Sequence, residues 1–162
     1  MFIKITMGFK DMFDKGINIE TAPSIWITIP ILTLLGITFI RISFGLEHHF
    51  SAPLAKSSLF VLTSVVLSLQ IIFGVLGYMI MQKMDYFTKY IESTNKSAIS
   101  FALICPGVAF MVFGMFFINY GLVYNNIIDK YSIAYFIFML PFIYIQMKTI
   151  IYFFKLYKKF EL

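Results

Sequence analysis

The sequence predicts an all-α fold, an integral membrane bundle of four transmembrane helices. The composition is the first reason: 60% of the 162 residues are hydrophobic and only 13% are charged, against roughly a quarter charged in soluble domains. The mean hydropathy of +0.86 is the second. The third is that the apolar residues form four separate runs, each near the length of about 20 residues that crosses a bilayer.

Short polar connections separate the predicted spans, which lie within a transmembrane domain of residues 23–157. Pro23 precedes the first span, and proline is common at helix starts. We detect no internal repeat, and residues 158–162 are predicted to form a cytoplasmic tail. The four spans cover residues 24–43, 57–81, 98–124 and 132–157.

Residues 1–22 are predicted to be an amphipathic segment in the cytoplasm or at the membrane surface. Their apolar side chains recur at helical spacing. Charged residues from Lys4 onward interrupt the segment before an apolar core could form, so the sequence does not predict a cleavable signal peptide.

Basic residues are distributed unevenly between the two sides of the predicted bundle. One side has only Arg41, Lys56 and Lys130, whereas the other has the N-terminal segment, the loop after the second span and the tail. The positive-inside rule therefore predicts a multi-pass inner-membrane protein with both termini in the cytoplasm. The formal net charge of +5 is read as a topology signal, and no nucleic-acid partner is expected. The lysines on the predicted cytoplasmic side are Lys4, Lys10, Lys15, Lys83, Lys89, Lys96, Lys155, Lys158 and Lys159.

The third span contains residues that normally damage helices. The run "CPGVAFMVFGMFF" includes Pro106, Gly107 and Gly114. Lipid-embedded helices tolerate such residues because neighbouring helices can satisfy the freed backbone groups. Pro106 is expected to free the carbonyl of Ala102 and to bend the span near its middle, and Pro30 does the same in the first span.

Glycines form a stripe along the third span, seven residues apart, beside a stripe of aromatic side chains. One interpretation is close packing between helices, which glycine allows. The other is a kinked helix that lines a narrow pore with an aromatic constriction. The glycines are Gly107, Gly114 and Gly121.

Few residues have side chains that could catalyse a reaction or bind a metal or haem. His48 and His49 follow Glu47 just beyond the first span, where a polar outer loop is expected; haem or metal ligation would need ligands from elsewhere. Cys105 is read as an inert core thiol, since no base is near it in the sequence. No catalytic or cofactor-binding constellation can be assembled, so we expect neither an enzyme nor a bound cofactor.

Polar groups inside the predicted spans are better indicators of function. Arg41 and Lys148 are candidates for attracting anions, although Lys148 is also placed to reach the headgroups by snorkelling. Gln70 and Asn119 are expected to form hydrogen bonds between helices.

Two long runs carry a family resemblance. The segments "ISFALICPGVAFMVFGMFFINYGLV" and "AYFIFMLPFIYIQMKTIIYFFKL" resemble the C-terminal helices of TsoY-type membrane proteins. These are similar to the TehA and slow-anion-channel superfamily, which includes tellurite-resistance and dicarboxylate transporters.

The resemblance implies a ten-helix fold of five hairpins whose inner helices line a pore. The four spans would be helices seven to ten, about half of that fold, with the first and third as inner helices kinked at Pro30 and Pro106. A gating phenylalanine would be Phe110 or Phe113, beside the Gly107 and Gly114 backbone. Because four helices are fewer than the ten of that fold, the resemblance implies that the chain forms a homo-oligomer or pairs with the N-terminal half of the same transporter.

The sequence thus predicts a TehA-like channel or transporter for small anions, embedded in the lipid bilayer. Two alternatives remain. One is a structural subunit that anchors a larger membrane complex; the other is a haem or metal protein that uses His48 or His49.

Overall fold

The computed structural model describes residues 19–51, 55–93 and 96–161. The predicted N-terminal amphipathic segment lies mostly on residues 1–18, outside the described residues. The described part is helical and has no strand. Its α-helices are α1 (Thr28–Phe50), α2 (Lys56–Lys83), α3 (Ile104–Phe116) and α4 (Ile133–Glu161).

Other helix types extend two of these α-helices. A 3₁₀ segment, Ile19–Ile27, leads into α1, and a second, Ala98–Leu103, leads into α3. A π-helical segment, Phe117–Val123, continues α3. Four continuous helical stretches are then long and apolar enough to cross a membrane, which confirms the predicted number: Ile19–Phe50, Lys56–Lys83, Ala98–Val123 and Ile133–Glu161.

Pro30 and Pro106 each lie at the third residue of an α-helix, directly after a 3₁₀ segment. Amide groups in the first helical turn have no acceptor within the helix, so a proline there removes no hydrogen bond of the α-helix. Pro106 therefore stands at the change from 3₁₀ to α geometry at the start of α3. The expected bend of the span at Pro106 stays a prediction.

The helices pack unequally. α1 contacts both α2 and α3, while α4 contacts chiefly α3. As a result, only 11% of the apolar window of α4 is buried, against 22–28% in the other three stretches. α4 therefore presents most of its apolar surface outward.

Glycines allow close approach at the main helix contacts. A Cβ atom on Gly36 would overlap the Phe113 ring, and one on Gly77 would overlap the Trp26 indole. The glycine stripe of the third span also faces neighbouring helices, which is the packing role that small residues have in membrane bundles. Its three contacts are Gly107 with Thr149, Gly114 with Phe142, and Gly121 with Thr63.

At one end of the bundle, polar contacts join the helical stretches. The hydroxyl oxygens of Tyr86 and Ser100, both fully buried, lie 2.9 Å apart. Burial raises the pKa of Tyr86, and the hydrogen bond to Ser100 opposes that shift. Lys159 Nζ donates to the carbonyl oxygen of Tyr90 at 2.8 Å, which ties the end of α4 to the loop after α2.

The described chain consists of two similar hairpins, which we name the first hairpin (residues 19–83) and the second hairpin (residues 98–161). Each runs from a 3₁₀ segment into an α-helix and returns along a second α-helix. The change from 3₁₀ to α falls between residues 27 and 28 in the first and between residues 103 and 104 in the second. These two boundaries are 76 residues apart, so the hairpins form an internal repeat, and the expectation that the chain has no repeat is wrong. The identical pairs include Pro30 with Pro106, Gly45 with Gly121, and Gln70 with Gln146.

Candidate functional site

The candidate site is a pair of open clefts, the paired clefts, at the end of the bundle where α1 finishes. One cleft, of about 390 Å³, is lined by Arg41, Phe116 and Tyr120 among others. The other, of about 430 Å³, shares Phe116 and Tyr120 and extends to Lys130. The two aromatic side chains therefore form a common wall between the clefts.

The π-helical segment Phe117–Val123 shapes this wall. Its wider turn is seen where the Tyr124 amide donates to the Asn119 carbonyl, five residues back, at 3.0 Å. The Asn119 side chain donates to the Met115 carbonyl at 2.8 Å, so it bonds within its own helix and not between helices as the sequence suggested. π-helical turns are rare and are frequent at functional sites.

Aromatic rings from α1 and from residues 116–124 pack in tilted and edge-to-face pairs beside the clefts. The Phe44 ring centroid lies 5.4 Å from that of Tyr120 and 5.5 Å from that of Tyr124. The ring centroids of Phe116 and Tyr120 lie 5.5 Å apart. These separations are typical of favourable aromatic pairs, so the wall is a packed unit.

The charges around the paired clefts are positive. Arg41 lines one cleft and Lys130 the other, and Lys56 Nζ lies 5.0 Å from the Tyr124 ring centroid. None of the described residues that line the two clefts is acidic. A group of cations on low-dielectric aromatic walls favours an anionic ligand.

The two predicted anion-attracting residues are not brought together. Both are exposed, but Arg41 lines a cleft, whereas Lys148 lies on α4 with its Nζ 5.7 Å from the Tyr144 ring centroid. Lys148 thus points away from the helix contacts, as a snorkelling lysine would.

The predicted gate residues lie between helices, away from the paired clefts. Phe113 is fully buried against Gly36 of α1. Phe110 is half-buried, and its ring centroid lies 5.1 Å from that of Phe142 on α4. Of the two candidates, Phe113 is the one that fills the contact between α1 and α3.

A buried polar cluster joins the first three helical stretches. Gln70 Nε2 donates to Thr33 Oγ1 at 2.8 Å, which confirms the predicted interhelical role of Gln70. Thr33 Oγ1 lies 3.0 Å from the Ile29 carbonyl oxygen and 3.1 Å from that of Ala109. Gln70 Oε1 is buried and has no hydrogen-bond partner. The cluster therefore connects α1, α2 and α3 at once.

His48 and His49 lie in the last turn of α1, because this helix continues to Phe50 where the sequence predicted a loop. Both are exposed, with ring centroids 5.2 Å apart. Across the described ranges, no three His, Cys, Asp or Glu side chains are grouped closely enough to hold a metal ion. Cys105 is likewise exposed and not in the core.

Sequence reasoning identified Arg41 but not the cleft around it. The available signal was the spacing of Phe116, Tyr120 and Tyr124, four residues apart, which places them on one helical face. Comparisons of the chain with protein families, with curated proteins and with solved structures found no match.

Proposed function

We propose that this chain is a multi-pass protein of the inner membrane with both termini in the cytoplasm. The four apolar helical stretches support membrane insertion. The contact of Lys159 with the loop after α2 places that loop and the end of α4 at one end of the bundle. Six of the predicted cytoplasmic lysines lie at the end of α2, in that loop or at the end of α4, and this clustering supports the orientation.

We further propose that the chain binds a small anion in the paired clefts and takes part in its transport, as the resemblance to TehA-type proteins implies. The observation that carries this proposal is the placement of Arg41 and Lys130 in adjacent clefts, with no acidic residue among the described residues that line them. Fixed positive charge in such a cleft raises the local concentration of an anion at the entrance of a transport path.

Phe113 is the proposed gate. It is fully buried at the contact of α1 with α3, and its withdrawal would open space between them. Replacement of Phe113 by alanine should therefore increase anion flux, whereas replacement of Phe110, which packs against α4, should change it less. Equal effects of Phe113→Ala and Phe110→Ala would contradict the assignment of the gate.

Flux of a halide or nitrate into proteoliposomes tests the transport proposal. The R41Q variant should reduce the rate severalfold, R41K should keep most of it because the charge remains, and K148Q should match the wild-type protein. The absence of flux from the fully assembled protein at every membrane potential would refute the proposal.

One observation favours a second candidate, a structural subunit of a larger membrane complex. The outward apolar face of α4 has only 11% of its window buried, as expected for a helix that packs against another chain. This candidate predicts a stable co-purifying protein of different sequence and no flux by the isolated chain.

A further inference from the structure

The two hairpins carry the same short motif on their first helices. Residues 42–46 read "ISFGL" and residues 118–122, after the 76-residue spacing, read "INYGL". Isoleucine, glycine and leucine are identical, and an aromatic residue occupies the third position in both. We name these segments the ISFGL motif and the INYGL motif.

The two motifs have opposite surroundings. In the INYGL motif, Ile118 is 0% and Leu122 5% exposed, whereas in the ISFGL motif Ile42 is 52% and Leu46 47% exposed. The same side chains are therefore covered in the second hairpin and bare in the first. Because the isoleucines and leucines are the same in both motifs, their different exposure comes from the helix that covers one motif and not the other.

The helix that covers the INYGL motif is α2, which belongs to the first hairpin. A Cβ atom on Gly121 would come within 2.7 Å of Thr63 Oγ1, while a Cβ on Gly45 would meet nothing within 4 Å. Ile118 shares an apolar cluster with Leu67 of α2. The returning helix of one hairpin thus packs on the motif of the next.

The second hairpin has a corresponding returning helix, α4, and its equivalent face is only partly covered: Met139 is half-buried against an apolar cluster of its own chain, and Ile143 is exposed. Met139 and Ile143 stand 76 residues after Thr63 and Leu67. Leu67 is 8% exposed, whereas Ile143 is 39% exposed. Within one copy, the side chains of Ile42 and Leu46 on α1 and of Ile143 on α4 therefore remain exposed.

We propose that a second copy of this chain completes both surfaces, with the α4 face around Met139 and Ile143 of one copy covering the ISFGL motif of the next. The contact repeats the interface that the two hairpins already form within one chain, including a glycine that permits close approach. This contact between copies is head-to-tail, because it uses different surfaces on the two copies. Such contacts generate a ring when the rotation from one copy to the next closes on itself.

Cysteine cross-linking between copies tests this arrangement, and Cys105 is first replaced by serine. Two differently tagged copies, one with Gly45→Cys and the other with Met139→Cys, are expressed in the same membrane and oxidised. We expect a disulfide-linked heterodimer, because the equivalent residues Gly121 and Thr63 are in contact and disulfides need Cβ atoms about 3.5–4.5 Å apart.

Two controls make each result decisive. A single copy with Thr63→Cys and Gly121→Cys should form the internal disulfide, which shows that the chain folds and that the chosen geometry permits the bond. Ile72→Cys should not link to Met139→Cys, because residue 72 and its equivalent Lys148 are exposed in both hairpins. Internal linkage without linkage between copies would overturn the proposal, as would linkage of Gly45→Cys copies to one another, which indicates a face-to-face contact.

Discussion

The Phe113 ring of α3 fills the space that a side chain at Gly36 of α1 would occupy. Phe113 is fully buried there, so α1 and α3 approach as closely as the ring allows. Closely packed interiors resist added volume, and this pair therefore sets the distance between two of the four helical stretches.

Replacement of Gly36 by alanine should destabilise the bundle by about 1–3 kcal/mol, because the added methyl group overlaps the ring and overpacking has this magnitude. Thermal unfolding in detergent measures the change. If Phe113→Leu in the same chain restores part of the lost stability, the overlap is the cause; additive losses in the double variant would contradict it.

Trp26 reports on the packing of the first two helical stretches. It is the only tryptophan of the chain, and its Nε1 donates to the Gly74 carbonyl at 3.0 Å. Gly77→Ala should displace the indole, since a Cβ there overlaps it, and acrylamide should then quench its fluorescence more strongly. Gly74→Ala is the matched control, because its nearest neighbour would be Ile29 Cδ1 at 3.9 Å. Equal quenching in the two variants would count against the contact.

The hydrogen bond between Gln70 and Thr33 should be measurable as a coupling between their side chains. In a double-mutant cycle with Gln70→Leu and Thr33→Val, we expect about 0.6 kcal/mol, the mean for hydrogen bonds between membrane helices. Because Gln70 Oε1 has no partner, Gln70→Leu also removes an unsatisfied acceptor, and its cost alone should be small. A loss for Gln70→Leu much larger than that for Thr33→Val would contradict this reading.

Alkaline pH should weaken the bundle end that contains Tyr86. Burial raises the pKa of this phenol above its ordinary value, which is about 10. Below that value the phenol is protonated in both the folded and the unfolded chain, so the stability is complete. Above it the unfolded chain loses the proton first, and stability falls until the pH passes the raised pKa of the folded state.

The midpoint of thermal unfolding should therefore drop between pH 9 and pH 11 more steeply in the wild-type protein than in the Tyr86→Phe variant. The two proteins differ only at residue 86, so the difference between their profiles reports on this phenol. Parallel pH profiles would show that Tyr86 is not responsible.

Much of the fold follows from local sequence properties. The number of long helices was predictable because each run is apolar over the length of a membrane span, and the interhelical bond of Gln70 was predictable because an amide in lipid needs a partner. The role of Asn119 was not, because a side-chain amide satisfies itself equally well on the carbonyl four residues back in its own helix. The extension of α1 to Phe50 was also missed, since Glu47, His48 and His49 are polar but still compatible with a helix.

The sequence by itself determined how many apolar helices form and where basic residues accumulate, because both depend on residues that are neighbours along the chain. Only the tertiary structure decided that Gly36 receives Phe113 and that Arg41 and Lys130 border adjacent clefts. These features depend on pairs of residues that are far apart in the sequence. The hydropathy pattern does not specify such pairs, because many different apolar residues produce the same pattern. The physical reason is that the hydrophobic effect is non-directional and does not specify which helix packs against which. The shapes of the facing side chains select the partner, because interiors are closely packed.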